Sequence, residues 1–234
     1  TGAGIAVHDG DMFAGAAPTG ARLALAEVAL LAPCAPSKIV ALWNNFHALA
    51  TKLNNPVPPE PLFFLKAPSS VAAPGAVVQR PTSYDGKVVF EGELVIVIGR
   101  KLKNATRAEA QAGIFGYTAG NDVSAREWQQ KDGQWWRAKG SDTFGVFGPT
   151  IATTMPHDAL EVVTRVNGAE VQRGHSTELI RDIPEIVRYV SSAMTLLPGD
   201  LIYTGTPGSP PPIKSGDVIE IEVTGVGVLR NQVA

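Results

Sequence analysis

The stretch "FEGELVIVIG", Phe90 to Gly99, decides how this chain is read. Its second half, Leu94 to Ile98, is the apolar, β-branched run of a buried strand. Its first half sets two glutamates, Glu91 and Glu93, at the mouth of that strand. Side chains at i and i+2 of a strand project to one face, so the two carboxylates stand side by side, and Gly92 leaves space on the other face. Adjacent anions repel, and a partly buried strand mouth screens them poorly. Either one glutamate takes up a proton, or a cation sits between them. Oxygen ligands without Cys or paired His suit a hard ion such as Mg²⁺, Mn²⁺ or Ca²⁺. The competing reading is an exposed strand edge with both acids in water.

Working outward, further strand candidates are 38–43, 62–66, 87–99 (which contains the opening stretch), 114–124, 146–153, 160–168, 200–205 and 218–229. Asn-Gly in "RVNGAEV" marks a hairpin. "LLPGDLIYTG" and "KSGDVIEIEV" each use Gly-Asp to enter a strand. Helices are fewer. One is expected in "NATRAEAQAGI" with Asn104 as N-cap, and one in "DIPEIVRYVSSAMT", where Ile183, Ile186, Val187 and Val190 recur at helical spacing. Frequent Pro (18) and Gly (24) favour short strands and tight turns over a bundle. The expectation is a mixed, β-dominated domain over 34–234, behind a weakly patterned segment, 1–33, that receives no function.

Composition narrows the partners. The chain has 234 residues, and its 20 basic residues nearly balance its 22 acidic ones, so no basic stripe advertises nucleic acid. No apolar run approaches the ~20 residues of a membrane span; the nearest, "LALAEVALLAP", is broken by Glu27. Cys34 is the only cysteine, which excludes a disulfide framework and a thiolate zinc site and reads as a small buried hydrophobe. The opening "TGAGIAVHDGDMFAG" has neither a charged n-region nor an apolar h-region, so the expectation is a cytoplasmic protein without a signal peptide.

A second polar cluster, "GNDVSAREWQ", ends a strand candidate with Asn121-Asp122 and places Ser124, Arg126 and Gln129 just beyond. Asp122 there is a third oxygen ligand, and Arg126 offers a planar fork for a carboxylate. The plainer alternative is an Asx-turn at Asp122 and a solvated Arg126.

Taken in order, "EPLFFLKAPSS", "FEGELVIVIG", "GYTAGNDVSAREWQ", "RAKGSDTFGVFGP", "LLPGDLIYTGTPG" and "GDVIEIEVTGVGVLRNQV" resemble the signature blocks of the fumarylacetoacetate hydrolase family, over about Lys38 to Val233. The branch resembled is that of bacterial 2-hydroxyhepta-2,4-diene-1,7-dioate isomerases and 5-carboxymethyl-2-oxo-hex-3-ene-1,7-dioate decarboxylases. The resemblance implies a β-roll or β-sandwich with a few short helices, a homodimer, and Mg²⁺ or Mn²⁺ (Ca²⁺ as a substitute) held by Glu91, Glu93 and Asp122. It implies substrate contacts for Arg126, Gln129 and Thr206, and catalytic roles for His47 and Lys139. The activity implied is metal-assisted decarboxylation or isomerisation of 2-oxo or 2-hydroxy-dienoate diacids of aromatic catabolism, through an enolate.

At His47 the sequence departs from the hydrolytic relatives. There the histidine is followed three residues later by a glutamate that completes a water-activating dyad. Here the run is "NNFHALATKL" and Ala50 stands at that place. Val40 also replaces an acidic ligand that some eukaryotic relatives carry. Helical spacing would turn Phe46, Leu49 and Leu53 to the core and His47, Ala50 and Thr51 to the other side. Hydrolysis needs an activated water; isomerisation and decarboxylation need mainly an electron sink and a proton donor. Acylpyruvate hydrolysis stays open if another acid, Glu60 or Glu178, reaches His47. A metal-binding, non-catalytic member is the remaining alternative, and a purely structural β-domain would make the acid triad accidental. His8, His157 and His175 are assigned no role, the last read as part of a loop that could cover the site. Trp135 and Trp136 are read as core packing or as a wall near Lys139.

Overall fold

The computed structural model describes residues 4–234. Strands β1 (Gly4–Asp9) and β2 (Ala17–Ala24) pair with each other alone. Seven strands, β3 (Ile39–Trp43), β4 (Leu62–Lys66), β5 (Val71–Ala72), β8 (Gly92–Ile98), β9 (Ile114–Asp122), β11 (Gly145–Ala152) and β14 (Leu201–Tyr203), form the main sheet in the order β4-β3-β14-β8-β9-β11-β5. A second sheet, ordered β13-β12-β15-β16-β6, contains β6 (Val77–Val78), β12 (Glu161–Val166), β13 (Ala169–His175), β15 (Val218–Val223) and β16 (Gly227–Val233). A small pair joins β7 (Val88–Val89) to β10 (Ser124–Ala125). Helices are short apart from the last: α1 (His47–Lys52), α2 (Arg107–Ala112), α3 (Arg126–Lys131), α4 (Trp136–Gly140) and α5 (Ile183–Ala193). Mixed, strand-dominated architecture is what the sequence led us to expect, and no described helix is long and apolar enough to cross a membrane.

Strand β8 lies inside the main sheet with both faces covered. Leu94, Ile96 and Ile98 join the larger core, which also takes in α5, while Val95 and Val97 pack with Ile39, Leu201 and Tyr203 on the opposite side. A strand buried on both faces needs no alternation, which explains the continuous apolar run. Gly92 is required by the approach of the second sheet. A Cβ there would lie 1.9 Å from Thr164 Oγ1 on β12.

Two runs read as single strands are each split in the fold. The chain leaves the main sheet at Phe90-Glu91 and at Val123, and the segments beyond re-pair as β7 and β10. At this junction Glu91 donates its N–H to Asn121 Oδ1 (3.1 Å) and accepts the Asp122 N–H on its carbonyl (2.9 Å). The break therefore carries Glu91, while Glu93 and Asp122 keep ladder positions opposite Gly120 and Gly145, which have no side chains to crowd them.

Other expectations are corrected in detail. Helix α2 starts later than read: Thr106 is its N-cap, in a capping box with Glu109, because Asn104 takes a left-handed turn (φ 51°). The run 218–229 folds back on itself as β15 and β16. His175 ends strand β13 and does not lie in a loop. The Asn167-Gly168 hairpin stands as read, with both residues at positive φ (51° and 81°), as a type I′ turn needs.

Candidate metal centre and its cavity

Three elements deliver the acids. Glu91 precedes β8, Glu93 lies in it opposite Gly120, and Asp122 closes β9. Each offers a carboxylate oxygen within 4.8 Å of the others, the one such group among the described residues. Glu93 and Asp122 are wholly buried and Glu91 nearly so. The exposed-edge reading is thereby excluded.

Two lysines meet these acids. Lys139, from α4, donates to Glu91 Oε2 (2.7 Å) and Asp122 Oδ2 (2.6 Å). Lys66, at the end of β4, donates to Asp122 Oδ1 and to the Lys139 carbonyl. Burial alone would depress the Lys139 ammonium, but Asp122 and Glu91 more than offset it and hold its pKa above the usual lysine range. For Lys66 burial prevails over the pull of Asp122 and, with Lys139 nearby, sets its pKa low. Burial would likewise raise Asp122, yet the two ammoniums bring it below the ordinary carboxylate value.

Glu93 is the acid left over. Its Oε2 accepts the Gly205 N–H at 2.6 Å, while Oε1 is buried with no hydrogen-bond partner among the described residues. Desolvation, followed by the charges of Asp122 and Glu91, pushes its pKa well above normal. Lys139 and Lys66 both reach Asp122, and Lys139 also reaches Glu91, but neither donates to Glu93. An orphaned carboxylate oxygen beside two other oxygen donors fits a hard divalent cation, and nothing softer than oxygen stands in the group.

Above this floor lies a cavity of about 250 Å³. Glu91 and Lys139 open into it, Arg126, Gln129 and Thr206 line its walls, and Leu49 and Trp135 add apolar surface. Arg126 and Gln129 lie one turn apart at the start of α3 and are joined by an Nη1–Oε1 hydrogen bond of 3.2 Å. Thr206 donates a long hydrogen bond (3.4 Å) to Gln172 Oε1.

The structure thus brings together every expected site residue except His47. That histidine opens α1, is exposed, and is not among the cavity-lining residues. The expected sidedness of α1 holds for Phe46 and Leu49, which pack against the core, Leu49 also lining the cavity. It is corrected for Ala50, which is buried, and for Leu53, which is 51% exposed at the cavity rim. Ala50 itself is 2% exposed and offers no carboxylate, so the position supplies no dyad acid. Both substitute acids are engaged elsewhere among the described residues: Glu178 accepts the His175 N–H (2.6 Å), and Glu60 pairs with Tyr189. Sequence reasoning missed Lys66; its signal was a lysine closing an apolar strand, "LFFLK".

Known proteins resemble this chain in sequence and in fold. The family described as fumarylacetoacetate (FAA) hydrolase C-terminal matches residues 38–234, and that described as Rv2993c-like, N-terminal, matches residues 1–33. The chain is 46% identical over 218 residues to Protein Rv2993c of Mycobacterium tuberculosis, covering 92% of this chain and 82% of that protein. It is 38% identical over 222 residues to the human protein named oxaloacetate tautomerase FAHD2A, mitochondrial, covering 88% and 70%. The crystal structure of 2-hydroxyhepta-2,4-diene-1,7-dioate isomerase from Mycobacterium marinum superposes with a TM-score of 0.90 at 43% identity, covering 98% of this chain and 86% of that one. With its sequence pattern matched over all but the front segment, and relatives this similar in sequence and backbone, the chain belongs to the fumarylacetoacetate hydrolase family, whose members are enzymes.

Proposed function

We propose that this protein is a divalent-cation-dependent isomerase or tautomerase of small 2-oxo diacids, interconverting their keto and enol forms. The observation that carries the reading is the buried Glu91–Glu93–Asp122 cluster, opening through Glu91 and Lys139 into a cavity walled by Arg126, Gln129 and Thr206, with Ala50 standing where a dyad acid would follow His47. Mg²⁺ or Mn²⁺ bound by Glu91, Glu93 and Asp122 would supply Lewis acidity toward the 2-oxo group.

The chain's own residues account for the rest. Arg126 presents its guanidinium to a substrate carboxylate, and Gln129 keeps that fork oriented. Thr206 contributes a hydroxyl on the facing wall. Lys139 holds its proton at neutral pH and brings positive charge to the side of the substrate where enolate charge develops. Leu49 and Trp135 limit water in the cavity, which favours proton shuffling over hydrolysis. His47 enters the reaction only with a movement of α1 that carries its imidazole from solvent to the cavity. Decarboxylation of the same diacids uses the same parts. Relatives named as an oxaloacetate tautomerase and a dienedioate isomerase support the reaction class. The homodimer belongs to the reading as a family expectation, to be measured by sedimentation.

The test follows enol-to-keto conversion of oxaloacetate by loss of enol absorbance, with Mg²⁺, Mn²⁺ or EDTA, alongside proton NMR of products from a dienedioate and an acylpyruvate. Metal-dependent tautomerisation without cleavage is expected. Pyruvate and a free acid as the main products from the acylpyruvate would make this a hydrolase. Metal binding without turnover of any substrate would make it a non-catalytic member.

A further inference from the structure

A second cavity, of about 390 Å³, lies behind the first and shares two walls with it, Trp43 and Trp135. Its other lining includes Phe63, Phe64, Leu65 and Trp136, and no acidic or basic side chain. The two tryptophans are thus common to both linings, and Gln134 is the one amide side chain in the second.

Trp135 is held firmly in that place. Its ring meets Trp43 edge-on at 5.5 Å and Phe64 at 5.4 Å. Its backbone is left-handed (φ 58°, ψ 16°), unfavourable for a bulky residue and tolerated where surrounding contacts over-determine it. Its carbonyl accepts the Lys139 N–H at 2.9 Å, so the partition and the lysine belong to one rigid piece. Core packing alone does not describe a ring that walls two cavities.

A substrate whose polar head is held near Glu91, Lys139 and Arg126 extends its far end toward these rings. We propose that Trp135, together with Trp43, is the stop that sets substrate chain length, and that the groove behind it would accept the apolar tail of a longer 2-oxo acid once the partition is opened. This rests on the reading of the first cavity as a 2-oxo acid site. Because the groove has no cation, the gain falls on acids with alkyl tails and not on longer diacids.

The experiment measures calorimetric affinities, in Mg²⁺, for 2-oxobutanoate, 2-oxohexanoate and 2-oxooctanoate in the wild-type protein, Trp135→Ala and Trp43→Ala. Trp43 lies on β3, so its variant opens the partition from the other side and keeps the Trp135 backbone and its hydrogen bond to Lys139. The expected result is a preference for the eight-carbon over the four-carbon acid at least tenfold greater in both variants than in wild type. A preference within twofold of wild type in variants that melt cooperatively overturns the proposal, as does failure of all three proteins to bind any of the acids. A shifted preference in a protein that does not tautomerise oxaloacetate leaves the partition standing and refutes the proposed reaction.

Discussion

Replacing Glu93 with Gln tests whether the acid cluster is built for a cation. The amide keeps the Gly205 N–H bond now made by Oε2 (2.6 Å) and removes the charge from the group whose Oε1 has no partner. An unsatisfied buried polar group costs about 1–3 kcal/mol, more when charged. In EDTA at neutral pH the variant should therefore be more stable than wild type by about that amount, a rise in Tm of roughly 2–10 °C for a chain of this size. The sign with pH follows from the raised pKa of Glu93. A carboxyl with a raised folded-state pKa has its stability contribution in full below its unfolded pKa and loses it as pH rises toward the folded value. The advantage of Gln should thus vanish in acid and grow toward neutrality. Mg²⁺ should reverse the order: wild type gains about 2.7 kcal/mol at one hundred times Kd, whereas the variant, lacking one anionic ligand, gains little. Differential scanning fluorimetry with EDTA and with Mg²⁺, across pH, reads all of this. A variant that is less stable in EDTA, or that gains as much from Mg²⁺ as wild type, would refute the reasoning.

Gly92→Ala drives a methyl to 1.9 Å from Thr164 Oγ1 and should cost about 1–3 kcal/mol in urea unfolding, part of it recovered in the double variant with Thr164→Ala; an unchanged midpoint would mean that the sheets do not pack as described. Asp182 caps α5 through the Glu185 N–H (3.0 Å) and pairs with Arg107 (2.8 Å), so Asp182→Ala should lose about 1 kcal/mol at neutral pH. The Arg107 hydrogen bond lowers the Asp182 pKa, so that deficit should shrink as pH falls below about 4, and a deficit constant with pH would argue against it. Burial, with the Asp200 charge behind it, pushes the Cys34 thiol up to about 11. Iodoacetamide at pH 8 should then alkylate it roughly 100-fold more slowly than an unperturbed thiol, and an ordinary rate by mass spectrometry would show the site to be open.

Much of the site was legible because its ligands lie in short, patterned stretches. The two-residue period of a strand puts Glu91 and Glu93 on one side whatever they pack against, and the Asn167-Gly168 turn and the α5 apolar stripe are equally local. His47 and Ala50 show where local reading stops. Helical spacing states which residues share a face but not how far the buried face extends: Phe46 and Leu49 pack against the core as expected, whereas Ala50 is buried too and Leu53 is left 51% exposed. The breaks at Glu91 and Val123 were hidden for a similar reason, since apolar composition does not say when a strand changes partners.

What the sequence by itself determined was the set of donors: oxygen-only ligands, a pair of them locked side by side, and a strand apolar enough to be buried on both faces. Only the tertiary structure decided how they are used. It carries Lys66 to Asp122 across 56 residues and Lys139 to Glu91 across 48, leaves Glu93 Oε1 without a partner, and sets Trp135 at the edge of two cavities. Side-chain direction within a strand is a property of the backbone repeat, whereas charge balance and cavity shape depend on contacts between distant segments that no local repeat encodes.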